Sequence, residues 1–146
     1  MQIREAQKSD LPGLLSLYTQ FKDTPMPNID RRTTDIWEQI FADKNHHVLV
    51  GVEDGAIVSS CVLLIVPNLT HDQRPYALIE NVITDKACRK QGYASAILDY
   101  AKGIAKAENC YKIMLLTGSK LDSTLAFYER AGFNRHDKTG FILWFE

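Results

Sequence analysis

The stretch "NVITDKACRKQGYA", residues 81–94, decides how the chain is read. Its first half, Asn81 to Thr84, ends the strand-like run "YALIENVIT". Its second half turns through Arg89, Lys90 and Gly92 and opens into a helix over 91–107. Ala94, Ile97, Leu98, Ala101, Ile104 and Ala105 recur there at helical spacing. A helix start offers unpaired N–H groups and the positive end of the macrodipole. Gly92, lacking a Cβ, lets a ligand approach the backbone, and Arg89 and Lys90 add charge. Such a corner suits a phosphate or diphosphate best.

Reading outward, "YKIMLLTG" is a second strand after that helix. The strand–helix–strand unit over 81–116 requires a right-handed parallel crossover. The remaining strands read as antiparallel. "HHVLVGVEDGAIVSSCVLLIV" is a hairpin turning at Asp54-Gly55, a dipeptide that tolerates the positive φ angles of a type I′ turn. "MQIREA" is a short strand. "SDLPGLLSLYTQF" is a helix with Leu11, Leu14, Leu15 and Tyr18 on one face, capped by Ser9 or Asp10. "TTDIWEQIFAD" is a second amphipathic helix, and "LDSTLAFYERAG" a further one. "GFNRH" and "GFILWFE" read as a terminal hairpin. The order β α α β β β α β α β β describes one α/β (α+β) domain over 1–146.

The composition limits what such a domain does. Lys+Arg number 17 against 18 Asp+Glu, a net charge of −1 that gives no basic face for nucleic acid. Cys61, Cys88 and Cys110 are an odd set without metal-ligand spacing, as expected of free thiols in a reducing cytoplasm. No signal-peptide pattern opens the chain, and no apolar run is long enough to span a bilayer, so a cytoplasmic protein without a membrane partner is expected. His46, His47, His71 and His136 are scattered, and no metal is expected.

The phosphate ligand is narrowed by what is missing. There is no Gly-Lys-Ser/Thr ending of a P-loop, and the three glycines of a dinucleotide-binding turn are absent. "RKQGYA" instead resembles the Arg/Gln-x-x-Gly-x-Gly/Ala signature of the GNAT superfamily of acetyl-CoA-dependent N-acetyltransferases. "IENVITDKACRKQGYASAILDYAKGIAK" resembles that family's fourth strand, pyrophosphate loop and third helix. "CYKIMLLTGS" is similar to its fifth strand and "AFYERAGF" to its fourth helix.

The resemblance implies a mixed, mostly antiparallel sheet of about seven strands, with the fourth and fifth splayed apart and four helices around them. It implies an acetyl-CoA site. Backbone N–H groups of Arg89, Lys90, Gln91, Gly92, Tyr93 and Ala94 would cradle the diphosphate, and the pantetheine arm would lie along Val82, Ile83 and Thr84 like an added strand. Tyr128 matches the family tyrosine that protonates the departing thiolate, a balanced transfer because phenol and thiol have similar pKa values. Glu80, as a part-buried carboxylate with a raised pKa, would serve as general base. Alternation puts Glu80, Val82 and Thr84 on one strand face and Asn81 and Ile83 on the other, unless a bulge intervenes. The N–H of Val82 would face the oxyanion. The family asparagine ahead of the tyrosine is missing here, leaving Asp122, Ser123 or Thr124 to cap that helix or touch the coenzyme.

Relatives acetylate amino sugars, aminoglycosides, polyamines, amino acids and protein N-termini. "IENVIT", "CYKIMLL" and "FYERAGF" most resemble the glucosamine-6-phosphate N-acetyltransferase branch. Acceptor determinants fall in 22–34 and 67–75, where Arg31, Arg32, His71 and Arg74 could meet a phosphate or carboxylate. Relatives of this size are commonly homodimers. A non-catalytic acyl-CoA-binding domain is the rival from another class. Trp37 and Trp144 read as core, and "DRRTTD" as a solvated helix start.

Overall fold

The computed structural model describes all residues from Met1 to Glu146. They fall into two compact units, Met1–Met114 and Leu115–Glu146. The first is organised by one sheet in sequence order: β1 (Gln2–Glu5), β2 (His46–Glu53), β3 (Ala56–Val66), β4 (Tyr76–Thr84) and β5 (Ile113–Leu115). β1 to β4 pair antiparallel, and β5 joins β4 in parallel. This is the expected mixed, mostly antiparallel α/β fold, with five strands in place of seven.

The hairpin between β2 and β3 turns as its sequence dictates. Asp54 and Gly55 have φ of 48° and 80°, the pair of positive angles a type I′ turn requires. The helices are α1 (Leu11–Tyr18), α2 (Arg31–Ala42), α4 (Tyr93–Ala107) and α5 (Asp122–Arg130). Between β3 and β4 lies the one-turn α3 (Thr70–Gln73), in which His71, Asp72 and Gln73 all take left-handed φ angles. Asp30 caps α2 by accepting the Thr33 N–H at 2.9 Å, so the solvated "DRRTTD" start holds. Asp10 is used differently from the expected cap of α1. Its carboxylate receives Arg4 at 2.6 Å and the Gln7 N–H at 2.7 Å, which ties β1 to the chain leading into the helix.

The strand alternation divides the core. Val48, Val50 and Val62 point to one face, where Leu11 and Leu14 of α1 and Trp37 of α2 cover them. Leu49, Cys61 and Leu63 point the other way, where α4 packs on β2, β3 and β4 with Ile97, Leu98, Ala101 and Ala105 buried. The apolar positions that mark α4 in the sequence are therefore the ones that seat it.

The second unit is built differently. α5 contains no buried residue, and neither does the rest of the unit. Residues 131–146 form neither helix nor strand, so the expected terminal hairpin is absent: its two segments have no hydrogen-bonded ladder. Trp37 is core, as expected, but Trp144 is 66% exposed. Apolar pattern named both tryptophans, yet burial also needs a packed neighbour, which only Trp37 has.

Candidate active site

The middle of β4 departs from regular strand geometry. Ser60 of β3 pairs with Ile83 and Val62 with Glu80, so Cys61 alone stands opposite Asn81 and Val82. Two residues against one make a β-bulge, and Asn81 takes the strain with φ of 54°. Consequently Glu80 and Asn81 are exposed in succession, and the strict alternation expected over 80–84 breaks there. Glu80 is exposed, not part-buried as the general-base reading assumed.

The bulge is braced from α1. The Tyr18 phenol, at the helix end, lies beside the side chains of Ser60 and Asn81, and burial raises its pKa. Ser60 Oγ in turn donates to the Leu49 carbonyl at 2.8 Å. Past the bulge, Val82 is half-buried and Ile83 buried. The Thr84 hydroxyl lies 3.0 Å from Ser59 Oγ, which itself donates to the Ile83 carbonyl. Thr84 is thus held through its side chain by β3.

The corner after β4 is also held from the α1 side. The Asp85 carboxylate accepts the Ala87 N–H and the Gln20 amide, each at 2.8 Å, while Gln20 Oε1 accepts the Lys86 N–H at 2.9 Å. Lys86 pairs with Asp23. Arg89 reaches back to the Thr84 carbonyl at 3.4 Å, a long contact, and Arg89, Lys90 and Gln91 are exposed. Lys90 and Gly92 have φ of 62° and 80°. A Cβ built on Gly92 would meet nothing within 4 Å, so the chain needs glycine there for its backbone angle, not for room within the protein. The first bond inside α4 runs from the Ala96 N–H to the Gly92 carbonyl, 3.0 Å. The N–H groups of Tyr93, Ala94 and Ser95 therefore stand at the helix end without intrahelical partners. Near them the Tyr93 phenol has a raised pKa, first from partial desolvation and then from the negative charge of Glu53.

In the second unit, Tyr128 sits on α5 with its ring edge-on to Phe127 and Phe133, at centroid distances of 5.0 and 6.2 Å. Ser123 is exposed. None of Asp122, Ser123 and Thr124 caps the helix; its N-cap is Leu121, with no side-chain cap bond. The turn is closed one step earlier. Ser119 Oγ accepts the Leu121 N–H at 3.3 Å and donates to the Thr124 hydroxyl at 3.1 Å.

The acceptor candidates separate. Arg74 donates to the carbonyls of Asn109 and Cys110 at 3.1 and 3.2 Å, and the His71 ring stacks on Tyr111 at 3.9 Å. Both fasten the loop before β4 to the chain leading into β5. Arg31 and Arg32 stay exposed at the start of α2. The Cys61 thiol is buried and pushed up to about 12, so it remains protonated, and all three cysteines are free. No three His, Cys, Asp or Glu side chains gather into a metal-sized group. No helix is long and apolar enough to cross a membrane.

Sequence reasoning missed Tyr18, Ser60, Gln20, Asp85 and Ser119. Tyr18 lies on the apolar stripe of α1 and reads as core, and a hydroxyl beside strands distant in sequence leaves no local trace. Asp85 did carry a signal, as an Asx-type start two residues before Ala87.

A model of the Acetyltransferase (GNAT) family matches residues 14–133, spanning the bulge, the corner and Tyr128. The chain belongs to the GNAT acetyltransferase family. It is 29% identical to a glucosamine 6-phosphate N-acetyltransferase of Trypanosoma brucei brucei, over 94% of this chain and 92% of that protein. A solved structure of an Agrobacterium tumefaciens protein is 40% identical, with a TM-score of 0.92 and 99% of each chain covered. Glucosamine-6-phosphate N-acetyltransferase from Arabidopsis thaliana shares the fold, with a TM-score of 0.86 at 21% identity and coverage of 99% of this chain and 98% of that one. As a GNAT member the chain is an acyltransferase, and acetyl-CoA is the cosubstrate its family implies.

Proposed function

We propose that this GNAT protein transfers the acetyl group of acetyl-CoA to a primary amine of a small molecule, by direct attack within a ternary complex. An amino sugar phosphate is the first acceptor to test. The observation that carries the reading is the bulge-then-corner geometry of one segment. Asn81 breaks β4, and six residues after Thr84 the chain turns through left-handed Lys90 and Gly92 into α4. The turn offers N–H groups to a diphosphate, while the bulge frees strand backbone from the β3 ladder for an extended, amide-bearing arm and a thioester carbonyl.

In this reading the backbone of Arg89, Lys90, Gln91, Gly92, Tyr93 and Ala94 holds the diphosphate, with the two cations steering more than gripping. Val82, Ile83 and Thr84 line the pantetheine arm through their main chain. Glu80 takes a proton from the incoming ammonium, directly or through water, and its exposure suits a base that exchanges protons with solvent. The neutral amine attacks the thioester carbon, and the oxyanion that forms is met by the Val82 N–H. Collapse breaks the carbon–sulfur bond, and the Tyr128 phenol gives its proton to the leaving thiolate. Ser123 is a coenzyme contact in the second unit. With Arg74 and His71 occupied elsewhere, Arg31 and Arg32 are left to meet an acceptor phosphate. The support for a phosphorylated amino sugar is the name of the Trypanosoma relative together with its coverage of nearly the whole chain.

A thiol-release assay with acetyl-CoA and a panel of amines tests this. Turnover with glucosamine 6-phosphate exceeding that with glucosamine, and falling when Arg31 and Arg32 are both changed to Ala, is expected. Turnover only with peptides bearing a free N-terminus or lysine would replace the acceptor class. CoA binding with no amine-dependent release would leave only a binding module.

A further inference from the structure

The side-chain amide of Gln20 makes two hydrogen bonds of opposite sense to the entry of the corner after β4. Its Nε2 donates to Asp85 Oδ2 at 2.8 Å, and its Oε1 accepts the Lys86 N–H at 2.9 Å. A carboxylate accepts only and a backbone N–H donates only, so these two partners fix which way the amide faces. Glutamate, of the same reach, offers no donor, and lysine no acceptor. The other Asp85 oxygen accepts the Ala87 N–H at 2.8 Å. Gln20 and Asp85 together therefore take both N–H groups that open the short turn Lys86–Cys88.

Both ends of this contact are well anchored. On one side α1 is seated through buried Leu11, Leu14 and Leu17, and the turn Thr19–Phe21 continues it directly. The Thr19 hydroxyl donates to the Ser16 carbonyl at 2.6 Å and the Thr24 N–H to the Thr19 carbonyl at 3.0 Å, fixing the backbone on either side of Gln20. On the other side, the Asp85 N–H donates to the Val58 carbonyl of β3 and the Asp85 carbonyl accepts the Cys88 N–H, each at 2.8 Å. Beyond Cys88 the grip loosens. Arg89, Lys90 and Gln91 are exposed, and the reach of Arg89 to Thr84 is long at 3.4 Å. The direction in which the chain enters the turn at Lys90 and Gly92 is therefore set at Asp85 and Lys86.

We propose that Gln20 and Asp85 are a positioning pair for the coenzyme, aiming the N–H groups of the corner from α1. This rests on the acetyl-CoA reading above and adds a residue outside the glycine signature to it. The amide also holds the Asp85 carboxylate to the α1 side, where its charge is engaged instead of free at the entry to an anion site. The pair touches none of the reacting atoms, and Glu80 and Tyr128 lie outside it. Its loss falls on coenzyme binding and not on bond-making, so KM for acetyl-CoA rises while kcat holds. Tyr18, two residues earlier, lies beside the bulge instead. Adjacent positions at the end of α1 thus serve the two halves of the coenzyme site separately.

Titration calorimetry with CoA over a cycle of variants tests the pair, each variant first compared with the unaltered protein by circular dichroism. Gln20→Glu sets two carboxylates face to face, and Asp85→Asn sets two amide donors face to face. Each alone should weaken CoA binding by about tenfold. Combined, they exchange acid and amide: the new amide donates to the new carboxylate, which still accepts the Lys86 N–H. Affinity should then return to within about threefold of the unaltered protein. Gln20→Met removes both bonds without adding charge, and should raise KM for acetyl-CoA by about tenfold with kcat kept within about twofold. Single variants that bind CoA as tightly as the unaltered protein, or a double variant no tighter than the weaker single, overturn the pair and leave the acetyl-CoA reading standing. An unaltered protein that binds no CoA removes that reading, and the pair with it.

Discussion

The two compact units of this molecule are made of similar residues and hold them differently. In Met1–Met114, apolar side chains repeat at strand and helix periods and are buried on both faces of the sheet. In Leu115–Glu146, an equally apolar chain leaves Leu121 67% and Phe141 89% exposed. Hydrophobic content does not by itself produce a core; a second element presenting a matching face is also needed. The residues to which we assign the proposed function divide the same way. The bulge and the corner proposed for the diphosphate lie in the packed unit, and Tyr128 in the open one.

The largest effect that sharpens this contrast is one substitution made in each unit. Leu63 is fully buried between β2 and β4, so Leu63→Ala should cost about 2–5 kcal/mol in denaturant unfolding. Leu121→Ala, at a 67% exposed position, should change stability by about 0.5 kcal/mol or less. Equal losses would break the comparison.

Within the packed unit, Gly92→Ala tests the corner. The φ of 80° at that position costs an L-residue about 1–2 kcal/mol. The loop should relax away from it, and titration calorimetry should show CoA binding weakened by about tenfold, using 1.4 kcal/mol per decade. Unchanged affinity would move the diphosphate elsewhere. Tyr18→Phe removes the hydroxyl that lies beside Ser60 and Asn81. A loss of about 1 kcal/mol in stability is expected, with kcat reduced more than KM because the bulge is left less firmly placed.

The smallest effect is a pH dependence. His46 has its pKa lowered, chiefly by desolvation, below the ordinary 6.5. Between the folded and unfolded values the unfolded chain binds more protons, so this contribution is complete above about pH 6.5 and is lost as pH falls through the lower folded value. Melting midpoints should decline on acidification through that window, and His46→Gln should flatten the decline. A rise on acidification would reverse the assignment.

The sequence was most legible where local chemistry and periodicity agree. Asp54-Gly55, the stripe of α4 and the crossover to β5 follow from residues close together in the chain. The bulge at Asn81 was not legible, because it depends on the register of β3 against β4 and on a phenol from α1. The terminal hairpin was misread for a related reason. "GFILWFE" has the composition of a strand, but a strand also needs a partner, and composition does not say where one is. In the candidate site, the glycine signature and the tyrosine could be found by pattern, whereas Tyr18, Gln20 and Asp85, which hold the bulge and corner in place, act through contacts distant in sequence.

The proposed roles of the corner and of Tyr128 are tested most directly by measuring CoA affinity and acetyl-transfer rate together in Tyr128→Phe. The account predicts a CoA dissociation constant within about twofold of the unaltered protein and a kcat lower by about 100-fold, the loss of one general acid. A kcat left unchanged, or a loss of CoA binding that matches the loss of rate, would contradict it.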